Sequence, residues 1–377
     1  MSAILPKARI GILGGGQLGR MIAMSARTLG FDVWVLDPNP QCAAAAVADH
    51  CIVADFDDAA AAESLARACA VITYEIEKIG ALALQAASRF APVRPRPEVL
   101  RIVQDRGLQK GWLIDHGFPV GPYAEVSSWA EMERALASHG TQGRLKTRVG
   151  GYDGKGQSRF EDNPSAKRAW GAMEVPCVLE EELILEAELS VLVARRPQGE
   201  TVVFPPARNW HQDGVLTFSV MPAALPEDVL TQAKVLSVAL AEQLDIEGLL
   251  AIEFFWLKNG ELKVNELSPR PHNTFHSADA ACVTSQFEQL VRAICDLPLG
   301  STEVVRPTAL ANLFGDWWLG EKPPPLEKVL AMSEVHLNLY GKEPRRNRKI
   351  GHLLATATDS GAALAKVKQA QRLMSGG

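Results

Sequence analysis

The N-terminal part of the chain, up to about residue 90, alternates short apolar runs with longer amphipathic stretches. The apolar runs have the length of β-strands and are rich in β-branched side chains. They lie at residues 9–13, 33–36, 52–53 and 71–74, and an apolar helical stretch that ends at Leu29 follows the first of them. Strand, helix and strand at this spacing predict a parallel sheet with helices on its faces. The proline-rich segment 91–97 follows, which we interpret as a stiff linker and a domain boundary.

The rest of the chain continues the mixed pattern in two further segments. A helix is predicted near residues 97–116, and strands and helices then alternate to about Leu299. The last segment opens near Ser301 and holds a proline run, a strand at residues 335–340 and a helix close to the end. We therefore predict a mixed α/β protein with domains at residues 1–97, 98–300 and 301–377.

Composition and charge exclude several classes of function. The chain has 377 residues, of which 47% are hydrophobic and 22% are charged, as in ordinary soluble proteins. Its formal net charge of −5 provides no general attraction for nucleic acid. The longest apolar run, residues 248–257, is too short to cross a bilayer, and residues 1–10 lack the features of a signal peptide. Six cysteines without a CxxC pair are interpreted as reduced thiols, so we expect a cytoplasmic protein that binds neither membrane nor nucleic acid.

A glycine-rich turn after the first predicted strand has two interpretations. Gly14, Gly16 and Gly19 form a Gly-x-Gly-x-x-Gly motif, and Asp37 ends the next strand. That combination is typical of NAD-dependent oxidoreductases. The same glycines are needed wherever a strand turns tightly into a closely packed helix, and Asp37 before Pro38 is equally typical of a turn. The N-terminus of the helix also favours any other anionic group.

Two apolar runs flank an Asn-Gly pair at residues 259–260, which is the strongest short signal for a β-hairpin. With a two-residue loop, Lys258 lies opposite Glu261, and Glu253 lies opposite Glu266. The Cβ atoms of the two paired glutamates are then about 4.5–5.5 Å apart on one face. Like charges at that distance, one of them in an apolar strand, are unfavourable without a partner.

The carboxylate pair therefore needs a compensating charge. A shared proton, or ion pairs with arginine or lysine, would supply one. A magnesium ion fits better, because it accepts carboxylate oxygens and keeps positions for phosphate and water. The amide of Asn265 adds an oxygen next to the pair in sequence. We predict a magnesium site at Glu253 and Glu266.

A second glycine-rich segment, residues 149–157, follows a short predicted strand that contains Lys146. Four glycines in seven residues let backbone N–H groups approach an anion closely. The segment is not a Walker A motif, since no Gly-Lys-Ser/Thr opens a helix. We interpret it as a phosphate-covering loop, to which Lys146 and Lys155 bring positive charge, against the simpler interpretation as a flexible loop.

Several polar segments carry little information alone. Residues 178–183 run from an apolar strand into an acidic stretch, Glu188 precedes another strand, and residues 209–214 are predicted to form a turn that contains His211. Acidic stretches and turn histidines usually lie on the solvated surface. The same holds for the basic cluster at residues 342–349, which has five Lys and Arg side chains.

Together, the motifs resemble the ATP-grasp ligases, and within them the family that carboxylates an aminoimidazole ribonucleotide in purine biosynthesis. The resemblance spans nearly the whole chain. Its motifs are GGGQLGRM at 14–21, ITYEIE at 72–77, KTRVGGYDGKGQ at 146–157, NWHQDG at 209–214, NELSPRPHN at 265–273 and KEPRRNRKIGH at 342–352. It implies a Rossmann-like N-terminal domain, an ATP-grasp core with a small lobe at about 120–180, and a small C-terminal domain.

The resemblance also implies roles for individual residues. Those that would bind ATP are Arg106, Lys146, Gly151, Tyr152, Asp153, Gly154, Lys155, Gly156, Gln157, Glu180, Glu181, Glu182, Leu183, Glu188, His211, Asn265 and Glu266. The magnesium ligands would be Glu253 and Glu266. Those that would bind the ribonucleotide are Gln17, Leu18, Glu75, Lys342, Arg345 and Arg348. Those at the reaction centre would be Tyr152, Asp153, Lys155, Arg270, His272 and Asn273.

The sequence departs from the family pattern at one point. The family commonly continues the His-Asn pair with Ser-Gly-His, and this chain has Thr274, Phe275 and His276 there. Phe275 stands where a glycine is usual, close to the reacting groups. A different local backbone, and a different role for His276, would follow if Phe275 faced the site.

The implied reaction uses ATP, bicarbonate and 5-aminoimidazole ribonucleotide, with Mg²⁺. Bicarbonate attacks the γ-phosphate to form carboxyphosphate, which yields carbon dioxide beneath the glycine loop, and the exocyclic amine captures it. The candidate general bases are His272 and Asp153. The rivals are another ATP-grasp ligase of the purine pathway, such as a formate-using transformylase, an NAD-binding oxidoreductase, and a non-catalytic nucleotide-binding relative. The resemblance further implies a homodimer.

Overall fold

The N-terminal part forms a parallel sheet, as the sequence predicts. The computed structural model describes residues 2–151 and 154–375. The elements of this part are β1 (Arg9–Leu13), α1 (Gln17–Thr28), β2 (Asp32–Leu36), β3 (His50–Ile52), α2 (Ala59–Ala68), β4 (Val71–Tyr74) and α3 (Ala81–Ser88). The strand order is β3-β2-β1-β4, and all pairings are parallel. The carboxyl ends of β1 and β4 are neighbours, so the glycine turn after β1 meets Glu75 after β4.

The proline-rich segment at residues 91–97 is not a free linker. It runs beside β4, where Ile72 N–H donates to Pro92 O at 2.9 Å and Arg94 N–H donates to Ile72 O at 2.8 Å. The Arg94 side chain is buried, and its Nε donates to Glu247 at 2.7 Å. Glu247 lies far from this segment in sequence, so the segment is a packed junction between two parts of the chain.

The single helix predicted at residues 97–116 is wrong. The structure has α4 (Pro97–Gln104) and α5 (Arg106–Asp115). Asp105 lies between them, and its side chain accepts hydrogen bonds from the N–H groups of Gly107 and Leu108. Asp is a preferred N-cap residue, so Asp105 starts a new helix inside a pattern that resembles one continuous helix. The break places Arg106 in the first turn of α5.

A small antiparallel sheet with two helices follows. Its elements are β5 (Tyr123–Val126), α6 (Trp129–His139), β6 (Gly143–Thr147), β7 (Gln157–Phe160), α7 (Asn163–Met173) and β8 (Cys177–Glu181), with the strand order β5-β8-β6-β7. Its own apolar core includes Leu145, Phe160 and Leu179. The second glycine-rich segment connects β6 with β7, so it projects from the end of this small lobe.

The remaining strands form one large sheet. Its first elements are β9 (Leu185–Arg195), β10 (Thr201–Val203), β11 (Ala207–Gln212), β12 (Val215–Met221), α8 (Glu227–Gln243), β13 (Gly248–Leu257), β14 (Leu262–Ser268), α9 (Ala278–Ala281) and α10 (Gln286–Ile294). Its C-terminal elements are β15 (Thr308–Phe314), α11 (Leu326–Leu330), β16 (Val335–Leu339), β17 (Lys349–Thr356) and α12 (Ser360–Ser375). The order is β14-β13-β9-β11-β12-β15-β17-β16, with β10 beside β9. The C-terminal strands thus continue the central sheet through β12 and β15.

Two local predictions in this sheet are wrong. Residues 209–214 are not all a turn, because β11 extends to Gln212, and Glu188 lies inside β9 rather than before it. Asn209 Nδ2 donates to Ser190 Oγ at 2.7 Å in the buried space between the two strands. That hydrogen bond lets a polar residue occupy the middle of the sheet.

All six cysteines have free thiols, as predicted. Across residues 2–151 and 154–375, we find no helix with the length and apolar character needed to cross a membrane.

Candidate active site

The carboxylate hairpin has a different loop from the predicted one. Leu257 N–H donates to Glu261 O at 2.9 Å, so the loop has three residues, 258–260. The predicted pairing of Lys258 with Glu261 is therefore wrong. Gly260 has a φ of 88°, and three-residue hairpin loops commonly end with a residue in this left-handed region.

A β-bulge restores the predicted register at the carboxylates. The register shifts between Glu253 and Phe254, and Asn265 is the extra residue in β14. Beyond the shift, Glu253 pairs with Glu266, as predicted. Asn265 Nδ2 donates to Glu253 Oε2 at 3.2 Å, so two consecutive residues of β14 lie beside Glu253. Bulges often occur next to active sites, where they redirect a side chain.

The two carboxylates differ in their surroundings. Glu266 Oε2 lies 3.1 Å from a guanidinium nitrogen of Arg106. Burial acts to raise the pKa of Glu266, but the charges of Arg106 and Lys146 outweigh it and hold that pKa below its ordinary value. Burial raises the pKa of Glu253, with His211 opposing the shift and Glu266 adding to it. Glu253 is therefore the carboxylate that gains more from an added cation.

The donor set fits a magnesium ion. The side chains of Glu253 and Glu266 are 20% and 39% exposed, so both are accessible. The Oδ1 atom of Asn265 is buried and has no hydrogen-bond partner among the described residues. These are hard oxygen ligands, and magnesium usually takes one or two protein carboxylates together with phosphate and water. The described residues contain no group of three His, Cys, Asp or Glu around one position, so a cation here also needs ligands from a substrate.

Glu180 joins two lysines between α5 and the small lobe. Its Oε2 lies 2.5 Å from Nζ of Lys146, and its Oε1 lies 3.0 Å from Nζ of Lys110. All three residues are buried. Burial acts to raise the pKa of Glu180, but the two ammonium groups hold it far below its ordinary value. The cluster of Lys110, Glu180 and Lys146 carries one net positive charge, which suits a phosphate chain.

Lys110 was not among the predicted site residues. It lies four residues after Arg106 on α5, so the two side chains share one face of the helix. This spacing was the only available signal, because an isolated lysine in a helix is usually a solvated surface residue.

His211 and Glu188 are in close contact on neighbouring strands. His211 Nδ1 lies 2.6 Å from Glu188 Oε2. Burial opposes protonation of His211, but Glu188 and the charge of Glu253 raise its pKa. The pair therefore presents a fixed imidazole to the same side of the sheet as the carboxylates.

The second glycine-rich segment reaches the turn between β11 and β12. Gly154 has a φ of 77°, and a Cβ atom there would lie 2.8 Å from the carbonyl oxygen of Asp213. A side chain at Gly154 would prevent this approach. Tyr152 and Asp153, which we predicted at the reaction centre, lie outside the described residues.

The glycine turn after β1 is filled by the protein's own carboxylates. Glu75 accepts hydrogen bonds from the N–H groups of Gly16 and Gly19 at 3.0 and 3.2 Å, at the N-terminus of α1. Asp37 accepts one from Gly15 N–H at 2.8 Å and is buried. A dinucleotide would need the N–H groups that already donate to Glu75. It would also need the Asp37 carboxylate to be available for a ribose, whereas this carboxylate accepts a hydrogen bond from Gly15. The geometry therefore argues against a nicotinamide cofactor.

The basic loop before β17 faces this turn. Lys342 Nζ contacts Oε1 of Gln17. The loop is anchored at its far end, where Gly315 N–H donates to Arg348 O at 2.8 Å and Asn347 N–H donates to a carboxylate oxygen in the 3-10 helix Gly315–Trp318 at 2.7 Å. The C-terminal part of the chain thus holds the positive side chain of Lys342 against the glycine turn.

Three candidate residues follow β14 directly. Arg270 Nε donates to Glu77 at 2.7 Å, and His272 Nε2 lies 3.3 Å from Glu253 Oε1. The Nδ2 atom of Asn273 is buried and has no hydrogen-bond partner among the described residues. The segment connects the carboxylate pair with the residues that follow β4.

Phe275 turns away from the reaction centre. Residues Asn273–Ser277 form a 3-10 helix, and the fully buried Phe275 ring lies 6.2 Å from that of Phe204. His276 is also buried and stacks on His352 at 4.4 Å, where burial lowers the pKa of His352 to about 3. Both residues at 275 and 276 therefore pack in the interior, and the departure from the family pattern fills the core.

One cleft of about 1590 Å³ collects the candidates. It is lined by Gln17, Leu18, Glu75, Arg106, Lys146, Gly151, Gly154, Lys155, Gly156, Gln157, Glu180, Glu181, Glu182, Leu183, Glu188, His211, Glu253, Asn265, Glu266, Arg270, His272, Asn273, Lys342, Arg345 and Arg348. Its volume is larger than that of a typical pocket for one small ligand. The structure thus brings together every predicted site residue that it describes.

Three family models match successive parts of the chain. Residues 7–104 match the ribonucleotide synthetase preATP-grasp domain, and residues 112–287 match the ATP-grasp domain. Residues 308–366 match the phosphoribosylaminoimidazole carboxylase C-terminal domain.

Known proteins resemble the chain over nearly its full length. The N5-carboxyaminoimidazole ribonucleotide synthase of Brucella melitensis is 42% identical over 93% of this chain and 97% of the relative. That of Bacillus subtilis is 41% identical over 93% of this chain and 92% of the relative. An ADP complex of an N5-carboxyaminoimidazole ribonucleotide synthetase has a TM-score of 0.93 at 38% identity, with 98% of both chains covered. The Aspergillus clavatus enzyme in complex with ADP and 5-aminoimidazole ribonucleotide has a TM-score of 0.90 at 26% identity, again with 98% of both chains covered.

Proposed function

We infer the chemistry of the cleft from one premise, that this chain belongs to the family of N5-carboxyaminoimidazole ribonucleotide synthases. It is an ATP-grasp ligase that carboxylates 5-aminoimidazole ribonucleotide in purine biosynthesis. One observation supports this on physical grounds. A single cleft joins the carboxylate pair, the cluster of Lys110, Glu180 and Lys146, and the basic C-terminal loop. Two phosphate-bearing substrates require such a combination of cations and metal-binding oxygens.

Bicarbonate is the carbon source in the proposed reaction. One of its oxygens attacks the γ-phosphorus of ATP, the bond to the β–γ bridging oxygen breaks, and carboxyphosphate and ADP form. Arg106 and Lys146 neutralise charge on the phosphate chain. Glu253 and Glu266 would hold Mg²⁺, which supplies Lewis-acid stabilisation of the phosphate oxygens when bound. We propose that the adenine lies against residues 180–183, which are Glu180, Glu181, Glu182 and Leu183, and that the ribose contacts Glu188. His211 and Asn265 also contact ATP in this proposal.

The ribonucleotide binds on the other side of the cleft in this proposal. Lys342, Arg345 and Arg348 hold its phosphate, because all three are cations of the C-terminal loop that line the cleft. The other contacts come from the glycine turn and the strand beside it, through Gln17, Leu18 and Glu75. The contact of Lys342 with Gln17 supports this, since it shows that both groups reach one place.

The carboxylation step takes place beside the carboxylate pair. The bond between carbon and the bridging oxygen of carboxyphosphate breaks, which gives carbon dioxide and inorganic phosphate. The exocyclic amine nitrogen of the ribonucleotide then attacks the carbon of carbon dioxide and passes a proton to a base. His272 is the candidate base that the described residues support, since its imidazole already reaches Glu253. Arg270 and Asn273 orient the reacting groups, and the glycine loop with Lys155 excludes water that would hydrolyse the intermediate.

The activity is tested by phosphate release from ATP and Mg²⁺ by the purified chain. We expect release that needs bicarbonate and that increases on addition of 5-aminoimidazole ribonucleotide, with consumption of its aromatic amine. Formate in place of bicarbonate serves as the control for a transformylase. Release that depends on formate, or that ignores the ribonucleotide, would refute the proposed substrates.

A homodimer in the cytoplasm is the assembly and location that we propose from the family resemblance. Light scattering of the purified chain at micromolar concentration measures its mass. A mass twice that of the 40.8 kDa chain is expected, and a monomer would contradict the dimer.

Replacing Lys110 with Met should raise the KM for ATP by about tenfold, with little change in the KM for the ribonucleotide. The substitution removes one of the two cations on Glu180, so the buried carboxylate holds Lys146 more tightly and away from the phosphates. ATP titrations at saturating ribonucleotide measure the effect, and Lys110→Arg is the charge-preserving control. An unchanged KM for ATP in Lys110→Met would show that Lys110 only fills space.

A further inference from the structure

Gln286 holds the backbone of His272. It is the first residue of α10, and its side chain is completely buried. Its Oε1 accepts a hydrogen bond from His272 N–H at 2.9 Å, and its Nε2 donates to His272 O at 3.1 Å. The amide thus satisfies both backbone groups of one residue, as a partner strand would, in a segment that belongs to no strand.

The backbone that Gln286 holds carries the imidazole ring of His272. The ring has contacts of its own with two neighbouring side chains in the described part of the chain: Nδ1 lies 3.1 Å from Thr274 Oγ1, and Nε2 lies 3.3 Å from Glu253 Oε1. Gln286 itself is enclosed in the protein and has no exposed surface with which to contact a substrate. Any effect of Gln286 on the reaction must therefore act through His272 and its neighbours.

We propose that Gln286 is a positioning residue, which keeps the His272 imidazole beside the carboxylate pair during the carboxylation step. The inference rests on the role proposed above for His272. Displacement of a reacting group by about 1 Å is enough to reduce a rate by about a hundredfold, so a backbone clamp of this kind has a measurable effect.

The same helix offers a matched control. Gln289 is also completely buried, and its amide grips Gly300 in the same way, accepting from Gly300 N–H at 2.8 Å and donating to Gly300 O at 2.7 Å. Neither of these two residues lines the cleft in the described part of the chain. Gln289→Leu therefore removes the same pair of hydrogen bonds from the same helix without touching His272.

We expect Gln286→Leu and Gln289→Leu to lower the thermal midpoint by similar amounts. Only Gln286→Leu should also reduce kcat for amine consumption, on the order of 10- to 100-fold, while the KM for ATP changes little. Because ATP cleavage continues when capture is slow, phosphate released per amine consumed should rise above the wild-type ratio. Gln286→Glu, protonated in this buried place, can make both hydrogen bonds and should recover most of kcat.

If the two leucine variants have equal kcat values and release equal amounts of phosphate per amine consumed, the proposal is overturned and Gln286 has only a structural role. If Gln286→Leu does not fold, the same comparison is made with Gln286→Met against Gln289→Met. Wild-type protein without bicarbonate-dependent phosphate release would instead refute the proposed function, whatever the variants do. The two failures are therefore distinguishable.

Discussion

Glu266→Gln should reduce kcat for bicarbonate-dependent ATP cleavage by about 10²- to 10³-fold, while the protein remains folded. Glu266 pairs with Glu253 across the bulge and also contacts Arg106. The amide keeps the size of the side chain and removes the charge, which weakens the cation site. Loss of one group that stabilises developing charge has an effect of this size in other enzymes. Initial rates over a range of Mg²⁺ concentrations, with circular dichroism of the variant, provide the measurement.

A measurement of metal binding shows whether the lower kcat of Glu266→Gln comes from a weakened cation site. Mn²⁺ binding to the ADP-loaded protein, followed by electron paramagnetic resonance, should weaken in Glu266→Gln. Glu261→Gln is the control, since Glu261 is exposed on the same hairpin and its carboxylate lies 3.2 Å from Nζ of Lys263. Near-normal turnover and unchanged Mn²⁺ affinity in Glu266→Gln would remove the metal assignment.

Lys342→Met should raise the KM for 5-aminoimidazole ribonucleotide by about 10- to 100-fold. Hydrogen bonds to charged groups contribute about 1.5–3 kcal/mol, and each 1.4 kcal/mol corresponds to about a factor of ten in affinity. The KM for ATP should change by less than about threefold, because Lys342 lies at the glycine turn and not at the cluster around Glu180. Titration of each substrate at saturating concentrations of the others gives both constants.

Arg346→Met is the matched control for this variant. Arg346 lies in the same loop, is exposed, and is not among the residues that line the cleft in the described chain. It should leave both constants nearly unchanged. A rise in the KM for ATP in Lys342→Met, without a rise for the ribonucleotide, would assign the C-terminal loop to the nucleotide.

The hairpin shows how far the sequence predicts the site. The pairing of Glu253 with Glu266 is confirmed, although the predicted two-residue loop is wrong. The longer loop shifts the register by one, and the bulge at Asn265 shifts it back. Alternating hydrophobicity indicates which residues share a face, but a bulge depends on contacts with the neighbouring strand, which one segment does not reveal.

The parallel N-terminal sheet is also confirmed, because its strands are short β-branched runs at regular spacing. Features that depend on distant contacts were not predicted. Glu75 is recognisable as a candidate only by resemblance, and its place at the N-terminus of α1 appears once β4 pairs with β1. Lys110 contacts Glu180 and Gln286 contacts the backbone of His272, and both contacts appear only when separate elements pack together.

We propose that bicarbonate attacks the γ-phosphate of ATP in this cleft. The most direct test is to supply bicarbonate labelled with ¹⁸O, together with ATP, Mg²⁺ and 5-aminoimidazole ribonucleotide, and to analyse the released phosphate by mass spectrometry. Transfer of one ¹⁸O atom from bicarbonate to phosphate at each turnover is the predicted result. Phosphate without the label, formed while the amine is still carboxylated, would contradict a carboxyphosphate intermediate in this cleft.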